Sequence, residues 1–135
     1  MAGKTSSSLT IEKSSFSYIL ASVGGVAYIT DNVSLSSTSN SFSRNFAVDG
    51  GVFYVSTTTT NTATSTFSSE EDTYYLNEAD YNDSDGGGLG GVLYMAHNKI
   101  KTTFDSIIVE NNWAANGGFA YISDCFSLSI YSGTF

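Results

Sequence analysis

The chain of 135 residues has no proline and a single cysteine. One cysteine, Cys125, excludes an internal disulfide and a multi-cysteine zinc site. Charge is scarce too: Asp, Glu, Lys and Arg make up 13% of the residues, against roughly 25% in an average soluble domain. Basic residues are the scarcest, five Lys+Arg against 13 Asp+Glu, for a net charge of −8. That balance lacks the basic footprint that grips phosphate backbones, so no nucleic-acid partner is expected. No apolar run approaches the roughly 18 residues of a spanning helix, so no membrane span is expected. Residues 1–8 show no apolar h-region of a secretory leader. In place of these, the chain carries 23 Ser, 15 Thr, 13 Gly and 10 Asn. Such a mixture favours short strands and tight turns over helices. Hydrophobic residues at 41% suffice for one core, and residues 1–135 read as a single domain.

A double glycine followed by mostly apolar residues occurs four times: Gly24-Gly25-Val26-Ala27-Tyr28-Ile29, Gly50-Gly51-Val52-Phe53-Tyr54-Val55, Gly90-Gly91-Val92-Leu93-Tyr94-Met95 and Gly117-Gly118-Phe119-Ala120-Tyr121-Ile122. Upstream positions align as well. Phe16, Phe42, Tyr74 and Val109 form one aromatic or apolar set; Ile19, Asn45, Asn77 and Asn112 form a second; Ala21, Ala47, Ala79 and Ala114 form a third. The third copy is longer because of two insertions, one before Tyr74 and one between Asp80 and Leu89. A further strip holds Leu9 and Ile11, Val33 and Leu35, Phe67, Ile100 and Phe104, then Phe126, Leu128 and Ile130. Alternation with a period of two indicates strands.

A unit this short cannot bury its own apolar face and has to stack on its neighbours. The expected architecture is all-β: a right-handed parallel β-helix of about four coils, with inserted loops in the third. Equivalent residues then lie about 4.8 Å apart in columns. The asparagines suit an amide ladder along the axis, and the glycines suit corners that need positive φ or close approach.

Phe42-Ser-Arg-Asn45, followed by Ala47 and Gly50-Gly51-Val52, resembles the FxxN and GGA[ILV] repeats of the chlamydial polymorphic membrane proteins and similar surface β-helix proteins. The resemblance spans about residues 9 to 135. Only this copy has a strict FxxN, and Val or Phe replaces the alanine after Gly-Gly throughout. It implies a β-helical, adhesin-like element displayed outside the cell. The membrane barrel of those proteins has no counterpart here.

Seven carboxylates cluster between Glu70 and Asp85: Glu70, Glu71, Asp72, Glu78, Asp80, Asp83 and Asp85. They suggest a solvated acidic loop or, more weakly, a Ca²⁺ site formed by Asp80, Asn82, Asp83 and Asp85, since oxygen-rich loops hold hard cations. No other cofactor is expected. The Gly86–Gly90 run lacks the Lys-Ser/Thr of a phosphate loop and reads as a hinge. His97 reads as turn surface and Cys125 as a small packed side chain. The basic residues Lys4, Lys13, Arg44, Lys99 and Lys101 do not gather beside a carboxylate pair, so no catalytic residues are assigned and no enzyme is expected. Asn32 and Asn82 head glycosylation sequons, and Thr57, Thr58, Thr59 and Thr60 open a run suited to O-glycans.

In the strands after each Gly-Gly, Ala27/Ile29, Phe53/Val55, Leu93/Met95 and Ala120/Ile122 are expected to face inward. Tyr28, Tyr54, Tyr94 and Tyr121 are then outward, beside Val26, Val52, Val92 and Phe119, with Leu20, Phe46 and Trp113 as a second outward set interrupted by Glu78. Such apolar exposure points to self-association or to glycan stacking. Phe126, Leu128, Ile130 and Phe135 begin a further copy of the repeat and suggest end-to-end contact. The resulting expectation is a structural or adhesive, self-associating filament subunit, extracellular or at the cell surface. The alternative is a carbohydrate-binding or carbohydrate-cleaving β-helix.

Overall fold

The computed structural model describes residues 7–30, 33–57, 65–80, 88–96, 100–124 and 126–135. All regular structure in them is strand. The first repeat supplies β1 (Ser7–Glu12), β2 (Ser15–Ser17) and β3 (Ala27–Thr30); the second supplies β4 (Val33–Thr38), β5 (Ser41–Ser43), β6 (Phe46–Ala47) and β7 (Phe53–Ser56). The third supplies β8 (Ser65–Glu70), β9 (Thr73–Tyr75), β10 (Glu78–Ala79) and β11 (Leu93–Ala96). Then come β12 (Ile100–Asp105), β13 (Ile107–Glu110), β14 (Trp113–Ala114), β15 (Ala120–Ser123), β16 (Ser127–Ile130) and β17 (Gly133–Thr134).

These strands form four sheets in which every pairing is parallel: β1-β4-β8-β12-β16, β2-β5-β9-β13-β17, β6-β10-β14 and β3-β7-β11-β15. An isolated bridge from Leu20 to Phe46 extends the third sheet by one rung. In each repeat the chain visits the sheets in the same order, and equivalent residues pair. Leu9 pairs with Leu35, Leu35 with Phe67, Phe67 with Thr102 and Thr102 with Leu128. Phe42 pairs with Phe16 and Tyr74, and Ala79 with Ala47 and Ala114. The longer third repeat is thus absorbed between strands without a slip in register, which matters because a one-residue slip would turn each side chain to the opposite face.

Three kinds of corner make this possible. Lys13, Ser39, Glu71 and Ser106 have positive φ between the first and second sheets, and Tyr18, Arg44, Leu76 and Asn111 have it between the second and third. A left-handed conformation costs a non-glycine residue about 1–2 kcal/mol, so something has to offset it. At the second corner the offset is an amide ladder. Asn77 Oδ1 accepts the N–H of Asn45 (3.1 Å), while its Nδ2 donates to the Phe42 carbonyl (2.9 Å) and to Asn112 Oδ1 (2.9 Å). Asn45 repeats the pattern on Ile19 and Phe16, and Asn112 on Asn77 and Tyr74. The third corner belongs to the double glycines. Gly50 has φ +62, and a Cβ on Gly51 would lie 2.2 Å from the Gly91 carbonyl oxygen, a distance no side chain tolerates.

One apolar cluster joins the sheets. Phe53 on β7 meets Phe42 on β5 edge-on at 5.2 Å and Phe67 on β8 at 5.4 Å. Phe42 also stacks on Phe16 and Tyr74, at 5.5 and 5.2 Å. Leu35, Val55, Leu93, Met95, Ile100, Phe104 and Ile107 belong to the same buried set, each worth roughly 1.5–3 kcal/mol of apolar transfer for a large side chain.

Candidate functional site

The fourth sheet carries a column of tyrosines on its outer face. Tyr28, Tyr54, Tyr94 and Tyr121 are direct register partners. Between them, Ile29, Phe53, Val55, Leu93 and Met95 are buried, and Ala27, Ala120 and Ile122 pack against the core from partly buried positions. This is the alternation that a strand with one face in the core requires. Ring centroids are 5.1 Å apart for Tyr28–Tyr54, 4.6 Å for Tyr54–Tyr94 and 5.7 Å for Tyr94–Tyr121. The last two pairs are stacked with their ring planes close to parallel, at 21° and 3°. The rings therefore spend their faces on each other and turn edges and hydroxyls to the surroundings. Burial, then the neighbouring phenols Tyr94 and Tyr28, raise the Tyr54 hydroxyl above its ordinary value; burial, then Asp49 and Tyr121, do the same to Tyr94.

The expected outward companions of this column are not outward. Val52 and Val92 are buried, and Val26 and Phe119 pack against the core from partly buried positions. Two successive N–H groups, those of Val52 and Phe53, donate to the single carbonyl of Val92, and Val92 and Leu93 both donate to Phe119. Two N–H groups aimed at one carbonyl mark a bend in the chain, although the register stays one-to-one, and the alternation is interrupted there. Val52 and Phe53 consequently both turn inward.

The third sheet carries the second outward set as expected. Leu20 (83% exposed), Phe46 (37%) and Trp113 (51%) lie along one line, with Glu78 paired to both Phe46 and Trp113. A cleft of about 220 Å³ opens there, lined by Leu20, Ala21, Phe46, Ala47, Val48, Glu78 and Asp80. Burial, and then the adjacent Asp80 carboxylate, raise the Glu78 carboxyl above the usual range.

The acidic segment does not behave as one loop. Glu70 and Glu71 are exposed, whereas Asp72 is fully buried. Its Oδ1 accepts the Asn40 N–H (2.8 Å) and Nδ2 (3.1 Å), and its Oδ2 accepts the hydroxyls of Ser69 (2.8 Å) and Tyr74 (3.2 Å). Asp72 is thus a structural residue, a correction to its place in a solvated cluster. A positional signal for this exists in the sequence: Asp72 precedes Tyr74 as Asn40 precedes Phe42 and Ser14 precedes Phe16. Of the Ca²⁺ candidates, Asp80 is exposed beside Glu78; Asn82, Asp83 and Asp85 lie outside the described residues. Among the described residues, no group of three or more His, Cys, Asp or Glu side chains is placed to hold a metal ion.

Of the glycosylation candidates, Thr57 is buried, and its N–H donates to the Ala96 carbonyl; this position is corrected from an acceptor of O-glycans to part of the packed end of β7. Asn32, Thr58, Thr59, Thr60, Asn82, His97 and Cys125 lie outside the described residues. Phe126, Leu128, Ile130 and Phe135 are exposed. Leu128 and Ile130 nevertheless continue the inward columns of Thr102 and Phe104, and Phe135 meets Phe119 edge-on at 5.7 Å. Their exposure is that of core positions on the outermost rung. Among the described residues, no helix is long and apolar enough to cross a membrane.

Comparison with protein-family models, with curated proteins and with solved structures gives no match for this chain.

Proposed function

We propose that the four sheets are the faces of one right-handed parallel β-helix of about four coils, and that this β-helix is a structural or adhesive subunit that associates end to end outside the cell. The observation that supports the reading best is the unbroken register of equivalent residues through all four sheets. Hydrogen bonds of one form, from a backbone N–H to the Oδ1 of the equivalent residue in the next repeat, span 26, 32 and 35 positions. Parallel strands joined by crossovers take the right hand almost without exception. The Ser/Thr-rich composition and the resemblance to FxxN and GGA[ILV] repeats support a surface location.

The association is carried by the outermost rungs. Among the described residues, β16 and β17 pair on one side only, as do β1 and β2 on the opposite edge. An open parallel edge over exposed Leu128, Ile130 and Phe135 is a template for a further strand. Laying the β1 edge of one subunit on β16 of the next continues the Leu128 column into Leu9 and the Ile130 column into Ile11. Among the described residues the first two sheets have five rungs and the other two have four, so such a join runs through two faces and leaves the tyrosine column one rung short. A heterologous contact of this kind does not close and builds a filament. Electron microscopy over a concentration series tests this. Filaments are expected for the native chain and not for a Leu128→Lys/Ile130→Lys variant. Filaments formed equally by both would contradict the reading.

The cleft on the third sheet favours a second reading, a carbohydrate-binding surface. Leu20 and Phe46 offer apolar area in it, and Glu78 and Asp80 offer hydroxyl acceptors. The tyrosine column is the poorer sugar platform because its ring faces are already occupied. Glycan-array binding lost on Phe46→Ala, in a chain that stays monomeric, would favour this reading over the filament.

A further inference from the structure

A chain with one cysteine cannot staple its repeats with an internal disulfide, yet the outer face of the fourth sheet brings a different pair of coupling groups together. Tyr54 and Tyr94 sit opposite each other on β7 and β11, with ring centroids at 4.6 Å, the shortest spacing in the column. Both are partly exposed, and the strands beneath them are anchored by buried Phe53, Val55, Leu93 and Met95. The backbone therefore holds the two phenols as neighbours on the outer face of the sheet. Enforced proximity of this kind converts an encounter into an intramolecular step.

We propose that the Tyr54–Tyr94 rung is a site of oxidative cross-linking, at which a peroxidase-type one-electron oxidant joins the two phenols as dityrosine. Each phenol gives up one electron and its hydroxyl proton. The two phenoxyl radicals form one carbon–carbon bond between ring positions ortho to the hydroxyls, and the ortho hydrogens move to the oxygens as the rings regain aromaticity. Hydrogen peroxide accepts the two electrons and two protons and leaves as two waters, so the product is lighter by two hydrogens. The bond ties the second repeat to the third across the insertions of the third repeat. It constrains the unfolded chain as a disulfide does, and more so for a long enclosed loop. The inference needs only the register of the fourth sheet and does not rest on end-to-end association.

Exposure alone would choose other residues. Tyr18 and Tyr131 are 70% and 71% exposed, against partial exposure of Tyr54 and Tyr94. Among the described residues no tyrosine is a register partner of Tyr18, whose ring lies under the Arg44 guanidinium at 5.5 Å. Reaction at such isolated phenols has to be intermolecular and has to rise with protein concentration.

The experiment treats the intact chain with a peroxidase and hydrogen peroxide over a range of protein concentrations. Dityrosine fluorescence, intact mass and peptide mapping then identify the product. The expected product is a monomer lighter by two hydrogens, with the Tyr54 and Tyr94 peptides joined and a yield that does not depend on concentration. Its unfolding temperature should exceed that of the unlinked chain. Tyr54→Phe/Tyr94→Phe keeps both rings in the column and leaves Tyr28 and Tyr121 too far apart to couple, so the intramolecular product should fall to background while circular dichroism is unchanged. Tyr131→Phe should leave it intact. Coupling found only between molecules, at Tyr18 or Tyr131, overturns the proposal. So does an intramolecular product that survives in the double variant, or no coupling at all in the native chain.

Discussion

Two neighbouring corners solve the same problem differently. At the second corner, Asn45, Asn77 and Asn112 each accept through Oδ1 and donate through Nδ2, and the ladder runs on from rung to rung. At the first corner, Asn40 behaves in the same way towards Ser14 and Ile11, but the next rung is Asp72. A carboxylate oxygen has no N–H to hand on. Asp72 therefore draws donors from within its own repeat, the hydroxyls of Ser69 and Tyr74, and the rung beyond it is apolar, Ile107. An amide ladder propagates because each rung is both donor and acceptor, and one acceptor-only rung stops it.

The exchange of the two side chains should be strongly asymmetric. Asn77→Asp places a carboxylate oxygen against the Phe42 carbonyl and Asn112 Oδ1, both acceptors, in a fully buried site. A loss of about 3–5 kcal/mol is expected, the range for an uncompensated buried charge, read by denaturant unfolding. Tyr74→Phe removes one of the hydroxyls that serve Asp72. Its expected cost is about 1.5–3 kcal/mol, because the lost hydrogen bond ends on a charged group. Asp72→Asn should be the mildest, within about 1 kcal/mol of the native chain, because the Ser69 and Tyr74 hydroxyls can rotate to accept from the new amide. Equal losses for Asn77→Asp and Asp72→Asn would remove the distinction between the corners.

The same corner should dominate the alkaline limb of stability. Burial, and then the Asp72 carboxylate, hold the Tyr74 hydroxyl protonated well above the ordinary phenol value of 10.0, and Tyr54 and Tyr94 are shifted the same way. The unfolded chain ionises these groups near 10.0, so the folded chain binds more protons above that value. Stability from this source is complete below pH 10 and falls as pH rises beyond it. Tyr74→Phe should flatten that fall, while the remaining slope reports the outer column. An alkaline limb unchanged in Tyr74→Phe would show that the buried phenol is not its source.

Much of this arrangement is visible in the sequence because the repeat is written in residues with few alternatives. The double glycines mark corners where a Cβ would strike backbone, and the Asn45, Asn77 and Asn112 set marks the ladder. Tyr74 and Ala79 keep register through the longest repeat. Two features were hidden for physical reasons. Period-two alternation places Val52 and Val92 outward, but it breaks at a bend where two N–H groups share one carbonyl. Asp72 belongs to an acidic stretch by closeness in sequence alone. The left-handed Glu71 separates it from Glu70 and turns it into the core. The cleft beside Glu78 joins Leu20, Phe46 and Asp80 from three repeats, and no local motif announces it.

The central claim is that equivalent residues of successive repeats are stacked nearest neighbours, tied by side-chain amides along the stack. Proton exchange and NOE spectroscopy of the asparagine side chains test it directly. The account predicts slowly exchanging Nδ2 protons on Asn45 and Asn77, each with NOEs to the next asparagine rung. Solvent-rate exchange of both side chains, with no NOE from Asn45 to Asn77 or from Asn77 to Asn112, would contradict it.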